Sequence, residues 1–238
     1  MNLLKISQKI CWLLIISILA SGPLGVLLVG LIQPQPEWSG AGIFINNFHV
    51  IQSLPYFLGF GLVIGSILLI AFLYKAAKPE EQGVMLPALV FITIYASLVS
   101  FNYILQTTYV PALVAGGADG ASILISALSM ANPNSLAWAI EMYGYMFLGL
   151  AFLWLYPYFR KGRFSRSIFF LLIANVTMGV LGAFISSYQL DWVMSRPGMI
   201  SFIAWNIVFA ALIIFIMFDL QDKTFSARSE KIIVRKKK

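Results

Sequence analysis

Charge, cysteine and histidine are all scarce in this 238-residue chain. Only 11% of its residues are charged, against about 25% in a soluble domain. Together with 60% apolar residues and a mean hydropathy of +0.88, that deficit excludes a soluble globular domain and a disordered chain. The single cysteine, Cys11, excludes an intrachain disulfide and a cysteine-based metal site. The single histidine, His49, excludes a bis-histidine haem or a multi-histidine zinc or di-iron centre built from this chain alone. No metal or other cofactor is expected. Paired carboxylates, a serine elbow and a phosphate loop are also missing, so the reading leans away from an enzyme.

Long apolar runs are abundant. Six are long enough to cross a bilayer, at about 10–32, 53–74, 84–106, 135–157, 168–188 and 199–219. At 1.5 Å per residue each makes roughly 30–35 Å of helix, which matches a hydrocarbon core of about 30 Å. The runs are continuously apolar and lack the alternation of a membrane β-strand. The expected fold is therefore an all-α membrane protein, with six transmembrane helices in one bundle over 1–220 and a basic tail at 221–238.

The cations set the expected orientation. Lys5 and Lys9 precede span one, Lys75 and Lys78 follow span two, and Arg160, Lys161, Arg163 and Arg166 follow span four. The tail adds Lys223, Arg228, Lys231, Arg235, Lys236, Lys237 and Lys238. With six spans all of these fall on one face, and only Arg196 lies on the other. Such asymmetry places both termini in the cytoplasm. It also accounts for the net charge of +7 without a nucleic-acid partner, since no folded basic surface presents it.

Two outer connections are partly apolar. In 41–52, Phe44, Phe48 and Ile51 suit one helical face. The segment 107–134 contains Pro111 and Gly116-Gly117-Ala118-Asp119-Gly120, then turns apolar over 121–130, as an interfacial or re-entrant helix would. Together the two are expected to lie as a lid over an opening, with His49 a lid residue. Within the spans, Gly61 and Gly65, Ser21 and Gly25, and Gly179 and Ala183 repeat the small-residue spacing that lets helix backbones approach, either inside one bundle or between copies.

The polar content of the spans points to a site. Glu141 is the only ionisable residue well inside one, about 9 Å from its outer end. Asn102, Gln106 and Asn206 are expected at a similar level. Trp138, Glu141, Tyr145 and Leu148 share one helix face, with Gly144 leaving a gap beside it and Asn132–Ser135 providing a turn and N-cap. A carboxyl group at this depth with no cation nearby is expected to sit neutral and face the bundle interior. Glu141, Asn102, Gln106, Asn206, Tyr145 and Trp138 are thus candidates for ligand binding or proton coupling.

The stretch Asn132-Pro133-Asn134-Ser135-Leu136-Ala137-Trp138-Ala139-Ile140-Glu141-Met142-Tyr143-Gly144-Tyr145, with the exit Leu155-Tyr156-Pro157-Tyr158-Phe159, resembles the fourth span of uncharacterised bacterial six-helix integral membrane proteins. The resemblance implies a bacterial cytoplasmic (cell inner) membrane and no particular activity. The leading functional expectation is a small-solute or ion transporter, or a membrane-embedded binding subunit, with an outer-half polar pocket around Glu141. A structural or accessory subunit of a membrane complex is the second, and an intramembrane enzyme acting on lipid or quinone the third. Expected partners are the lipid bilayer, a small-molecule or ion ligand, and a second copy or a membrane partner. A topology reporter fused after Lys238 is expected to read cytoplasmic, and one inserted near Gly117 external; the reverse pattern would refute this orientation.

Overall fold

The computed structural model describes residues 3–117 and 120–236, with side chains for 5–117 and 120–223. Among them every regular element is helical. Six helical stretches are long and apolar enough to cross a membrane: Lys5–Ile32, Val50–Ala76, Pro79–Gly116, Leu136–Leu153, Ser165–Ser186 and Arg196–Lys223. They correspond one to one with the six runs read from the sequence.

The first span is broken into α1 (Leu3–Ser21) and α2 (Pro23–Ile32). A short α3 (Ala41–Asn47) and a 3-10 turn (Val50–Ser53) lead into α4 (Leu54–Ala76). The third span is α5 (Pro79–Ile104), a π-helical turn (Leu105–Tyr109) and α6 (Val110–Gly116). Then follow α7 (Ala121–Leu128), α8 (Leu136–Leu153), the one-turn α9 (Tyr156–Phe159) and α10 (Ser165–Ser186). After a 3-10 turn (Leu190–Met194) comes α11 (Arg196–Lys236).

Local chemistry sets several of these ends. Pro79 opens α5, where its missing N–H is no loss, and Glu80 and Glu81 lie at the positive end of the helix dipole. Glu81 Oε2 accepts from Lys78 N at 3.1 Å and satisfies an open donor at the helix start. Pro157 withholds the donor that Leu153 would need, and α8 ends there in a turn at Trp154.

The long helices pack as a closed ring in chain order: α1 against α4, α4 against α5, α5 against α8, α8 against α10, α10 against α11, and α11 back against α1. Each meets its neighbours through one stripe. In α5 the buried positions Met85, Ala88, Ile92, Tyr95, Val99 and Asn102 recur at intervals of three and four. Aromatic side chains fill the middle. Phe152 of α8 meets Phe209 of α11 edge-on at 5.2 Å, and Trp205 stacks on Phe209 at 5.4 Å. The outer faces leave Ile16, Leu31 and Phe57 exposed to the surroundings. Such faces suit lipid, and in lipid close packing rather than transfer from water holds the helices together.

The small residues lie on the seams inside this one chain. A Cβ at Gly61 would strike the Ser17 hydroxyl, and one at Gly65 would press on Leu14, both across the α1–α4 seam. Gly179 lies against the backbone of Tyr145 and Met146 on the α8–α10 seam.

Several expectations change. The third span does not end at 106, and 107–134 is not one loop. The helix widens through the π turn and runs to Gly116. Val110 N bonds to Leu105 O, five residues back, and this shift carries the helix past Pro111. Phe44, Phe48 and Ile51 do not share one helical face either. α3 stops at Asn47, Phe48 is extended, and Ile51 lies in the 3-10 turn. Phe44 instead joins Ala41, Val110, Ala121 and Ile125 in a second apolar cluster, where α3, α6 and α7 cap one end of the ring. Gly117 and Gly120 turn the chain there with positive φ, a conformation open to glycine. Between them, Ala118 and Asp119 lie outside the described residues, as do Lys237 and Lys238 of the basic tail. The rest of that tail continues α11 to Lys236.

Gly61→Leu is expected to cost about 1–3 kcal/mol or more by overpacking the α1–α4 seam. Folded, monodisperse yield in detergent should fall. Unchanged yield with a smaller assembly would place Gly61 between copies instead.

Candidate functional site

The polar residues of the third and fourth spans meet at the end of the ring capped by α3, α6 and α7. Asn102 and Gln106 are one helical turn apart and both buried. Asn102 Nδ2 donates to Glu141 Oε2 at 2.7 Å, and Tyr103 donates its hydroxyl to Glu141 Oε1 at 3.2 Å. Tyr103 and Tyr145 join hydroxyls at 3.0 Å, and either can be the donor. Glu141 is only 5% exposed and both of its oxygens are occupied. Gly144 offers no gap for a ligand: Val99 of α5 fills the space beside it.

Gln106 links this group to the surface. Its Nε2 donates to Asn102 Oδ1 at 3.3 Å and to Leu128 O at 2.8 Å, and its Oε1 accepts from Met130 N at 3.0 Å. Its main-chain carbonyl accepts from Ser53 Oγ at 2.9 Å. The last bond follows from the π turn. Val110 has taken Leu105 O, and the next donor in that pattern would be Pro111, which has no N–H.

Met130 ties the connection between α7 and α8 to the same group. Besides its bond to Gln106, it accepts Trp138 Nε1 on its carbonyl at 2.9 Å and Asn102 Nδ2 on its sulfur at 3.2 Å. Ser135 takes the N-cap position of α8 as the sequence suggests, but its hydroxyl caps nothing and is buried without a partner.

Open space lies further out than Glu141. A narrow cleft with room for about one water molecule is lined by Gln52, Ser53, Gln106 and Ser129 and walled by Phe44, Phe48 and Tyr56. Glu141 does not line it; Gln106 does. His49 is exposed beside it and acts locally, its Nδ1 accepting from Ile51 N at 3.2 Å to cap the 3-10 turn.

Asn206 does not join Glu141. It lies on the α1–α11 seam beside Gly22, with Nδ2 donating to Phe202 O at 2.8 Å. Equal depth put it in the expected set, but depth does not give direction around a helix. The ring seats α11 between α1 and α10, whereas the carboxyl group sits between α5 and α8. Tyr103 was not among the expected residues, yet it bonds Glu141 directly. Its signal is present in the sequence, since Tyr95, Val99, Tyr103 and Gln106 run down one side of the third span.

A second buried acid lies at the basic end. Asp219 is 1% exposed, with Lys223 Nζ at 3.1 Å from its Oδ2. Lys223 also donates to Tyr158 O at 2.8 Å and sits 3.9 Å from the centre of the Tyr158 ring. Burial, and then the Asp219 and Glu81 charges, push the Tyr158 hydroxyl up to about 12. A side chain at Gly162 would strike the Asp219 carboxylate, so glycine is required there. This cluster clasps α9 and the following turn to α11.

Comparison with protein-family models, with curated proteins and with solved structures finds no match.

Tyr103→Phe is expected to lower stability by about 1–3 kcal/mol, because it removes the donor on Glu141 Oε1. Tyr95→Phe removes a buried hydroxyl that has no partner, so melting in detergent should be unchanged or raised. Equal losses for the two variants would contradict the bonding described here.

Proposed function

We propose that this polytopic protein binds or transports a small polar solute or ion in a bacterial cytoplasmic membrane, with both termini cytoplasmic. The supporting observation is that Gln106 belongs to two places. It lines the cleft, and it holds Asn102, which holds Glu141. A solute carrying hydroxyl, amide or cationic groups competes for the Gln106 amide and the Ser53 and Ser129 hydroxyls, while Phe44, Phe48 and Tyr56 cover its apolar faces. Engaging Gln106 loosens Asn102 and so changes the hydrogen bonding of Glu141.

Glu141 is the group able to respond. When ionised it accepts from both Asn102 and Tyr103. When protonated it can donate to Tyr103, which then turns its own proton toward Tyr145. The hydroxyl pair thus reverses direction with the carboxyl proton, as its undetermined donor permits. This arrangement couples solute in the cleft to proton occupancy at Glu141.

A second reading takes the polar group as a fastener in a structural or accessory subunit. The occupied oxygens and deep burial of Glu141 favour it, since the carboxyl group joins α5 to α8.

Glu141→Gln separates the two, because the amide keeps size and hydrogen bonding but cannot titrate. Under the binding reading, Gln preserves melting temperature and abolishes pH-dependent solute binding or uptake in proteoliposomes. Under the fastener reading, Gln is silent in every activity assay. Glu141→Leu is destabilising by about 1–3 kcal/mol for each donor left unpaired.

A further inference from the structure

At the basic end of the ring the chain enters α10 through Arg160-Lys161-Gly162-Arg163, and Arg166 follows in the first helical turn. Four cations thus fall within seven residues, and all four are exposed. The first turn of α10 contains no acid. Lys223–Asp219 is the one ion pair among the described residues, so Glu80, Glu81, Asp219 and Asp222 leave all four cations of the turn without a carboxylate.

Aromatic rings seat two of these cations. The guanidinium carbon of Arg163 lies 5.4 Å from the centre of the Phe164 ring, and that of Arg166 lies 5.8 Å from the centre of the Phe170 ring. Phe164 packs inward on Phe215 and Phe218 of α11, at 5.7 and 6.0 Å. Phe170 is instead 57% exposed, on the outer face of α10. A guanidinium held over a ring uses its flat face, and the N–H groups around its edge stay open to an acceptor. Two such forks can each grip phosphate oxygens in pairs. Lys75 and Lys78, exposed in the connection from α4 to α5, bring the same charge to the same end but have no fork to offer.

An exposed stripe descends α10 from Arg166 through Phe170, Ile173, Thr177, Val180 and Phe184, all on one side of the helix. Apart from Thr177 it is apolar. A soluble anion would use only the cations at its head. A phospholipid has the same two parts as the surface, a charged head and an apolar chain beneath it. We propose that Arg163 and Arg166, with Arg160 and Lys161 beside them, hold the phosphate headgroup of an anionic phospholipid whose acyl chain lies along this stripe. The proposal rests on α10 crossing a bilayer, and it shares no residue with the Glu141 group.

The full chain in a nonionic detergent can be melted with rising mole fractions of phosphatidylglycerol or of phosphatidylcholine with the same acyl chains. The expected result is a saturable rise in Tm of about 3–5 °C with phosphatidylglycerol and none with phosphatidylcholine. Arg163→Gln with Arg166→Gln should abolish the rise. Lys75→Gln with Lys78→Gln removes the same charge from the same end and should leave it, as should Glu141→Gln. Arg163→Lys with Arg166→Lys keeps the charge and loses the forks, so the half-saturating fraction should increase by about tenfold. Equal melting in the two lipids overturns the proposal. So does an equal loss in the two glutamine pairs, which would make the effect one of diffuse surface charge. A rise reproduced by inorganic phosphate at the same concentration assigns the patch to a soluble anion and overturns it as well. If the 163/166 glutamine pair does not fold, an unchanged half-saturating fraction in the lysine pair is the overturning result.

Discussion

A main-chain carbonyl inside hydrocarbon needs a donor from the protein, and Pro111 withholds one from Gln106. The π turn carries the third span past the proline but leaves that carbonyl open, and Ser53 closes it. One hydroxyl thereby pins the start of α4 to the end of α5. The Gln106 side chain is then free to reach toward the connection between α7 and α8, where it takes Met130 N and Leu128 O. The seating of the cap, the position of the cleft and the link to Asn102 and Glu141 all depend on this arrangement.

The two ends of the ring are held by different chemistry. At the capped end the bonds are mostly neutral, between amides, hydroxyls and main chain, and they gather around one carboxyl group. At the other end Asp219, Lys223 and the Tyr158 ring make a charged clasp where cationic loops also collect. Between them the helices rely on shape. Glycines at 61, 65 and 179 admit a neighbouring helix, and Phe152, Trp205 and Phe209 fill the axis. Close approach through glycine matters more here than it would in water, because lipid chains give no hydrophobic reason for apolar helices to associate.

Much of the site could be read in advance because its chemistry is rare in such a chain. A lone Glu141 among apolar residues stands out, and Asn102 and Gln106 repeat at helical spacing. What could not be read was direction. Asn206 matched Glu141 in depth yet faces Gly22, because rotation around a helix axis depends on which neighbours flank it. Tyr103 and Met130 do not stand out in the sequence, since aromatic and thioether side chains blend into an apolar span. The length of the third span was hidden for a related reason. A proline ordinarily ends a helix, and continuation past Pro111 depends on the π turn together with the Ser53 hydroxyl, 53 residues before the carbonyl it satisfies.

The class of protein, the number of apolar helices and their approximate limits are legible in the sequence. Those depend on local quantities: run length against bilayer thickness, and the scarcity of charge along each run. Which polar groups are partners and which are left alone emerges from the packed bundle. Glu141 is satisfied by residues 39 and 38 positions away, while the Asn206 oxygen finds no donor at all. Partnership inside a bundle is set by the order of helices around the ring and the rotation of each, and no stretch of sequence contains both.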